Sequence, residues 1–183
     1  MGAVELRRWS REEYEKMVDA GVFAPGERAE LIDGEIFGMT PQKSAHAAAV
    51  CAAQEALLHT VGVDFHIRVQ LPLALGAFSE PEPDISVVRG SWRNYRDAHP
   101  SAADLIVEIS DASLQFDRQR KGRIYAGAGI PDYWIVNLVD RCLEVYRQPS
   151  GLLYEWSKIL RPGDRIAPLA APGSPISVDD LLP

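Results

Sequence analysis

Disulfides have little to work with in this chain. There are two cysteines, Cys51 and Cys142, each alone in an apolar stretch. Such residues read as reduced thiols in a hydrophobic core, which suits a cytoplasmic protein better than a disulfide framework or a thiolate metal site. No run of about 18 apolar residues occurs, so no membrane-spanning helix is expected. The opening stretch, MGAVELRRWS, lacks the apolar core of a secretory signal, and Leu6 stands where a myristoylation signal needs Ser or Thr. An excess of positive charge is missing as well. The net charge is −7, which excludes a sequence-independent DNA coat but leaves room for a local basic groove. Internal repeats, low-complexity tracts and linkers are absent too, so residues 1–183 are expected to form one domain with a sizeable core.

What is there reads as alternating helices and strands. Ser10 and Glu13 make a capping box for a first helix, Tyr14, Met17 and Val18 share one of its faces, and Gly21 stops it. ERAELIDGEIFGM (27–39) reads as a hairpin turning at Asp33-Gly34. The alanine-rich stretch 41–62 is a second helix. VDFHIRVQLPLAL (63–75) alternates like a strand, with Phe65, Ile67, Val69 and Leu71 on one side and His66, Arg68 and Gln70 on the other. A loop leads into a short strand at 85–88, and DLIVEIS (104–110) is a central strand apolar enough to be covered on both faces. A third helix spans 113–129, and strands follow at 131–138, 142–148 and 152–160. The last segment, with five prolines after residue 161, is expected to wrap the surface. A helix between central strands and continuous apolar runs favour an α/β sheet with helices on its faces.

Three acids sit where acids are expensive. Glu30 precedes Leu31-Ile32, Asp84 opens Ile85–Val88, and Glu108 follows Leu105–Val107. Each could pair with an arginine or cap a turn. For Asp84 and Glu108, both among branched apolar residues at neighbouring strand ends, a shared cation is an equal contender. Hard divalent cations want oxygen ligands, and Mg²⁺ commonly takes one or two carboxylates plus water and phosphate. On a strand, Glu108 and Ser110 point the same way. A lysine at 110 would complete Asp…Glu-x-Lys, an arrangement suited to phosphodiester hydrolysis, with the carboxylates on the metal and the ammonium at the attacking water or phosphorane. Position 110 is serine, but Lys121 lies on the following helix, one turn from both Asp117 and Tyr125. A lysine there could reach the same point in space.

These stretches together resemble a family. EPD (82–84), VEIS (107–110), Asp117, Lys121 and Tyr125, GIPDYWIVN (129–137), and the AELIDGEI hairpin followed by His46 are similar to one branch of the PD-(D/E)XK nuclease superfamily. That branch is described as restriction endonucleases or as a domain of unknown function. The resemblance runs over about residues 10 to 160. It implies a restriction-endonuclease-like fold, a mixed central sheet flanked by helices with an N-terminal helix and hairpin, and Mg²⁺-dependent endonuclease activity, with Mn²⁺ able to substitute. Asp84, Glu108 and the carbonyl of Ile109 then become metal ligands, Glu30 an accessory acid, and Lys121 the lysine migrated from strand to helix. Ser110 stands where the superfamily usually has lysine, as it does in this branch.

Other signals divide two ways. His46 shares a helical stripe with Val50, Ala53 and Leu57, which suits a core histidine first and a phosphate contact or proton shuttle second. Gln70 is a polar strand position of the kind found near such clefts. Arg118, Arg120, Lys121 and Arg123 are basic in an acidic protein, as either a solvated face or a nucleic-acid contact. Arg89, Arg93 and Arg96 surround Trp92 and Tyr95, a mixture suited to nucleic acid or to a dimer interface. The LLYEW strand could pair edge to edge with a second copy, giving a homodimer. Two functions from different classes remain: a metal-dependent nuclease, probed by metal binding at Asp84 and Glu108, and a catalytically silent module of the same fold that binds nucleic acid or protein. A glycosidase using Asp84 and Glu108 as acid and base would leave Lys121 idle.

Overall fold

The computed structural model describes residues 5–183. The first helix, α1 (Arg11–Asp19), begins on the capping box: Ser10 Oγ accepts from the Glu13 N–H at 3.2 Å, and the Glu13 carboxylate accepts from the Ser10 N–H at 3.0 Å. Gly21 takes the left-handed φ of +66° that ends the turn. Tyr14 is buried and donates to the Ala29 carbonyl at 2.7 Å. Val18 is exposed, contrary to the shared-face expectation, because α1 leans on the molecule only through the turn around Tyr14.

The hairpin pairs β1 (Ala29–Ile32) with β2 (Glu35–Gly38). Asp33 and Gly34 both have positive φ, +50° and +82°, the type I′ geometry that matches strand twist. Next comes α2 (Ser44–Leu58), which buries Ala49, Val50, Ala53 and Leu57. Cys51 lies on its outer face and is exposed, so only Cys142 is the core thiol that the sequence led one to expect of both.

Six strands form the central sheet in the order β3 (Phe65–Val69), β4 (Ile85–Arg89), β5 (Leu105–Ser110), β6 (Asp132–Asn137), β7 (Cys142–Ser150), β8 (Leu153–Leu160). Neighbours are antiparallel except β5 and β6, whose parallel pairing needs the helical crossover between them. Leu71 falls outside β3 and is exposed, because Gln70 turns the chain with φ +52°. All of β5 is buried, and its residues divide between two cores. Leu105, Val107 and Ile109 pack under α2, while Ile106 packs on the crossover side with Tyr125, Tyr133 and Ile135.

The crossover is not one uniform helix. It runs as α3 (Leu114–Phe116), a π-helical turn (Asp117–Lys121) and α4 (Gly122–Gly127). The Asp117 carbonyl accepts from Gly122 N–H across the wider turn and also from the Tyr133 hydroxyl at 3.0 Å. The C-terminal segment does more than wrap the surface. It pairs β9 (Arg165–Ile166) with β10 (Ile176–Ser177), then makes a 3₁₀ turn, and Ile176, Val178 and Leu181 complete the core on the α2 side. Among the described residues no helix is long and apolar enough to cross a membrane.

The β6–β7 pair carries a buried ion pair away from the cleft described below. Asp132 is fully buried and accepts from Arg147 at 2.8 and 3.1 Å, from the Trp134 indole at 2.7 Å and from the Leu169 N–H at 2.9 Å. Removing the guanidinium strands a buried carboxylate. Arg147→Met should therefore lower unfolding stability by about 3–5 kcal/mol in urea titrations.

Candidate active site

Strand register brings two acids together. Ile85 stands opposite Val107, so the next position along each strand puts Asp84 beside Glu108. The Asp84 N–H points at Glu108 Oε2 at 3.4 Å, and the Ile109 N–H donates to Asp84 Oδ2 at 2.9 Å. The other Asp84 oxygen meets His46 Nε2 at 3.0 Å and accepts from the Gln70 amide at 3.1 Å. Burial opposes the Asp84 charge, but the bonds from His46, Ile109 and Gln70 outweigh it and hold its pKa below the ordinary value. His46 is held above its own, chiefly by its bond to Asp84. His46, in the first turn of α2, lines the cleft with its ring bonded to Asp84, while the buried residues of the helix begin at Ala49.

Glu108 lies inside β5 and projects to the crossover side. Its Oε1 accepts from Lys121 Nζ at 3.1 Å and from the Tyr125 hydroxyl at 2.6 Å. Burial pushes its pKa up to about 8, against the pull of Lys121. Lys121 is 5% exposed and also sits 3.1 Å from Glu30. Burial disfavours its charge, yet Glu108, Glu30 and Asp117 together hold its pKa well above the ordinary lysine range. Asp117 is buried one turn before it, with burial raising its pKa, and accepts from the hydroxyls of Ser110 and Ser113. Asp117, Lys121 and Tyr125 thus form the buried edge of the crossover.

These groups line one cleft of ≈ 320 Å³: Glu30, His46, Asp84, Glu108, Asp117 and Lys121, with the Ile109 backbone on the same wall. Phe37 and Phe116 meet edge to face at its rim, 4.8 Å between ring centres. The proposed arginine contacts do not converge there. Arg118 is held by both oxygens of the buried Glu144, at 2.9 and 2.6 Å, and Arg120 pairs with Glu35 on the hairpin. Arg123 is exposed, and Arg93 stacks on Trp92 at 4.7 Å. Glu82 also lines the cleft, and its N–H donates to Glu30 at 3.2 Å. Sequence reasoning missed it, although its place two residues before Asp84 was a usable signal.

Among the described residues, no three His, Cys, Asp or Glu side chains are grouped so as to hold an ion. What the cleft does offer is the two adjacent carboxylates of Asp84 and Glu108, both hard oxygen donors. That chemistry fits a cation such as Mg²⁺, which keeps several waters and takes one or two carboxylates. It does not fit a soft, fully caged metal. The charge balance agrees: five carboxylates, Glu82 among them, line the cleft with one ammonium and one imidazole.

A mixed sheet with one parallel pair, a helical crossover and this acid–lysine cleft define a restriction-endonuclease-like protein of the PD-(D/E)XK superfamily. The chain belongs to the family described as "Uma2: Putative restriction endonuclease", whose model matches residues 11–179. Its structure is similar to one solved as "a putative nuclease belonging to DUF820" from Anabaena variabilis ATCC 29413, with a TM-score of 0.71 at 18% identity, covering 94% of this chain and 96% of that one. No curated protein matches the sequence.

Proposed function

We propose that the chain is a metal-dependent endonuclease that hydrolyses phosphodiester bonds of nucleic acid, DNA in the first instance. Asp84, Glu108 and the Ile109 carbonyl would hold Mg²⁺ or Mn²⁺. A divalent cation there supplies Lewis acidity at a phosphate oxygen and makes hydroxide accessible near neutral pH. Lys121 offers a fixed positive charge beside that position, where the phosphorane gathers negative charge. Glu30 holds the ammonium from the other side, and Tyr125 fixes the Glu108 carboxylate. His46 and Gln70 set the orientation of Asp84. Ser110, where a lysine would otherwise stand, anchors Asp117.

The single observation that supports this reading most is the buried Lys121 ammonium, 3.1 Å from both Glu30 and Glu108 on the floor of the cleft.

The test is a cleavage panel of plasmid, linear and single-stranded DNA and RNA, with Mg²⁺, Mn²⁺ or EDTA. Cutting by the parent that needs metal, together with a loss of at least about 100-fold in Glu108→Ala, is the expected result. Equal cutting by the two proteins would place the activity elsewhere. No cutting by either, with no Mn²⁺ bound by the parent, would favour a silent module of the same fold.

A further inference from the structure

The cleft has two unlike walls. One carries the acids, Lys121 and His46. The other is apolar: Phe37 on β2, Met39 just after it and Phe116 on α3 line the same ≈ 320 Å³ space. Gly38, Thr40, Gln42 and Ser113 line it as well and are exposed, so the space is reached from solvent. The metal chemistry uses none of the apolar side chains.

Register sets the two rings beside the acids. Phe37 stands opposite Glu30 in the β1–β2 pair, so their side chains share one face of the hairpin. Phe116 immediately precedes Asp117 at the start of the π turn. The Arg120 guanidinium, held by Glu35, lies 5.5 Å from the centre of the Phe37 ring and braces it. Both rings are half-buried, and neither belongs to either hydrophobic core. Aromatic rings kept out of the core and lodged beside carboxylates suit a ligand with an apolar face.

Charge says which ligand. A duplex presents phosphates and keeps its bases stacked inside, so it needs a surface with free cations. The segments around this cleft have few to spare. Arg28 grips Glu82, Lys43 grips Asp111, Arg120 grips Glu35, Arg118 grips Glu144, and Lys121 lies between Glu30 and Glu108. Arg123 is exposed but does not line the space. A single strand offers unpaired bases instead, and their π faces stack on aromatic rings without calling on positive charge. We propose that Phe37 and Phe116 form a stacking wall for an unpaired nucleobase beside the phosphate addressed by Asp84 and Glu108, and that the substrate is single-stranded nucleic acid. The proposal rests on the nuclease reading and names its substrate class.

The test is anisotropy of a labelled single strand, of the same sequence as a duplex, and of a fully abasic strand of equal length. Each is titrated with the full chain in Ca²⁺ across a KCl series. The parent should bind the single strand at least about ten-fold more tightly than either of the others. Phe37→Leu and Phe116→Leu keep an apolar side chain and lose the ring. Each should weaken single-strand binding by about 5- to 100-fold and leave duplex binding unchanged. The slope of log Kd against log salt should stay parental, because stacking releases no counterions. Phe116→Trp should bind the single strand at least as tightly as the parent.

Equal affinity of the parent for single strand and duplex, or for single strand and abasic strand, overturns the stacking wall. The nuclease reading survives that result, since it depends on metal-dependent cutting and its loss in Glu108→Ala. Losses in the leucine variants that fall equally on single strand and duplex would mean that the rings only hold the hairpin to the crossover, and they overturn the proposal too. So does a parent that binds none of the three. Should both leucine variants fail to fold, the comparison of normal and abasic strands on the parent decides alone.

Discussion

Lys121→Met should bind Mn²⁺ as the parent does and cleave nucleic acid at least about 100-fold more slowly. The substitution keeps an unbranched side chain, one atom shorter, and removes the ammonium with its three donors. Asp84 stays in place because it is held by His46, Gln70 and the Ile109 N–H, and Glu108, which loses its bond from Lys121, keeps the one from the Tyr125 hydroxyl. What disappears is the ammonium between Glu30 and Glu108. The same change should be felt in the fold. Glu30, Asp84, Glu108 and Asp117 would face one another with only His46 as a counter-charge, and uncompensated buried charge costs about 3–5 kcal/mol. Urea titrations in EDTA at pH 8 should show that loss, and at pH 5 it should shrink as Glu108 keeps a proton. Cleavage at the parental rate would sink the assignment of Lys121, whatever the stability showed.

The metal-free protein should be less stable at pH 8 than at pH 5. Glu108 has its pKa pushed up from an ordinary 4.5 to about 8. Between those values the folded protein holds a proton that the unfolded chain has released, so stability falls as pH rises through the window. The loss should amount to a few kcal/mol. Asp117 and His46, both raised, push the same way. Asp84, lowered, acts with the opposite sign, and its contribution is lost only as pH falls below the ordinary value of 3.8. Glu108→Gln should flatten most of the slope, since a neutral amide stands in for the protonated acid. Mg²⁺ added to the parent at pH 8 should restore stability by binding the folded state alone. Thermal midpoints over the pH series, with EDTA or Mg²⁺, settle both points. A flat parental profile, or a steep one in Glu108→Gln, would contradict the burial argument.

Much of this was legible in the residues because it depends on near neighbours in sequence. Ser10 and Glu13 announced the helix start, and Asp33-Gly34 announced the turn. Asp84 and Glu108 stood out because a carboxylate among branched apolar residues has few bland explanations. The spacing of Asp117, Lys121 and Tyr125 gave their common face. Long-range partners left no such trace. Nothing local says that Arg118 will be held by Glu144, so the arginines of the crossover looked like one basic patch when they diverge. His46 sat on an apolar stripe, and its partner Asp84 lies 38 residues away in the sequence. The closing residues looked like surface because proline dominates them, yet Ile176, Val178 and Leu181 complete the core beside α2.

The π turn at 117–121 has a consequence for comparing this chain with its relatives. A π turn holds one residue more than the α-helical turn it replaces. Residues on either side of it are therefore out of phase by one place with a relative whose crossover is uniformly α-helical. An alignment that permits substitutions but no single-residue gap within the crossover would set the lysine against a residue on another face. The position proposed here for the catalytic lysine would then look empty, and relatives that carry the lysine would be sorted apart from this chain.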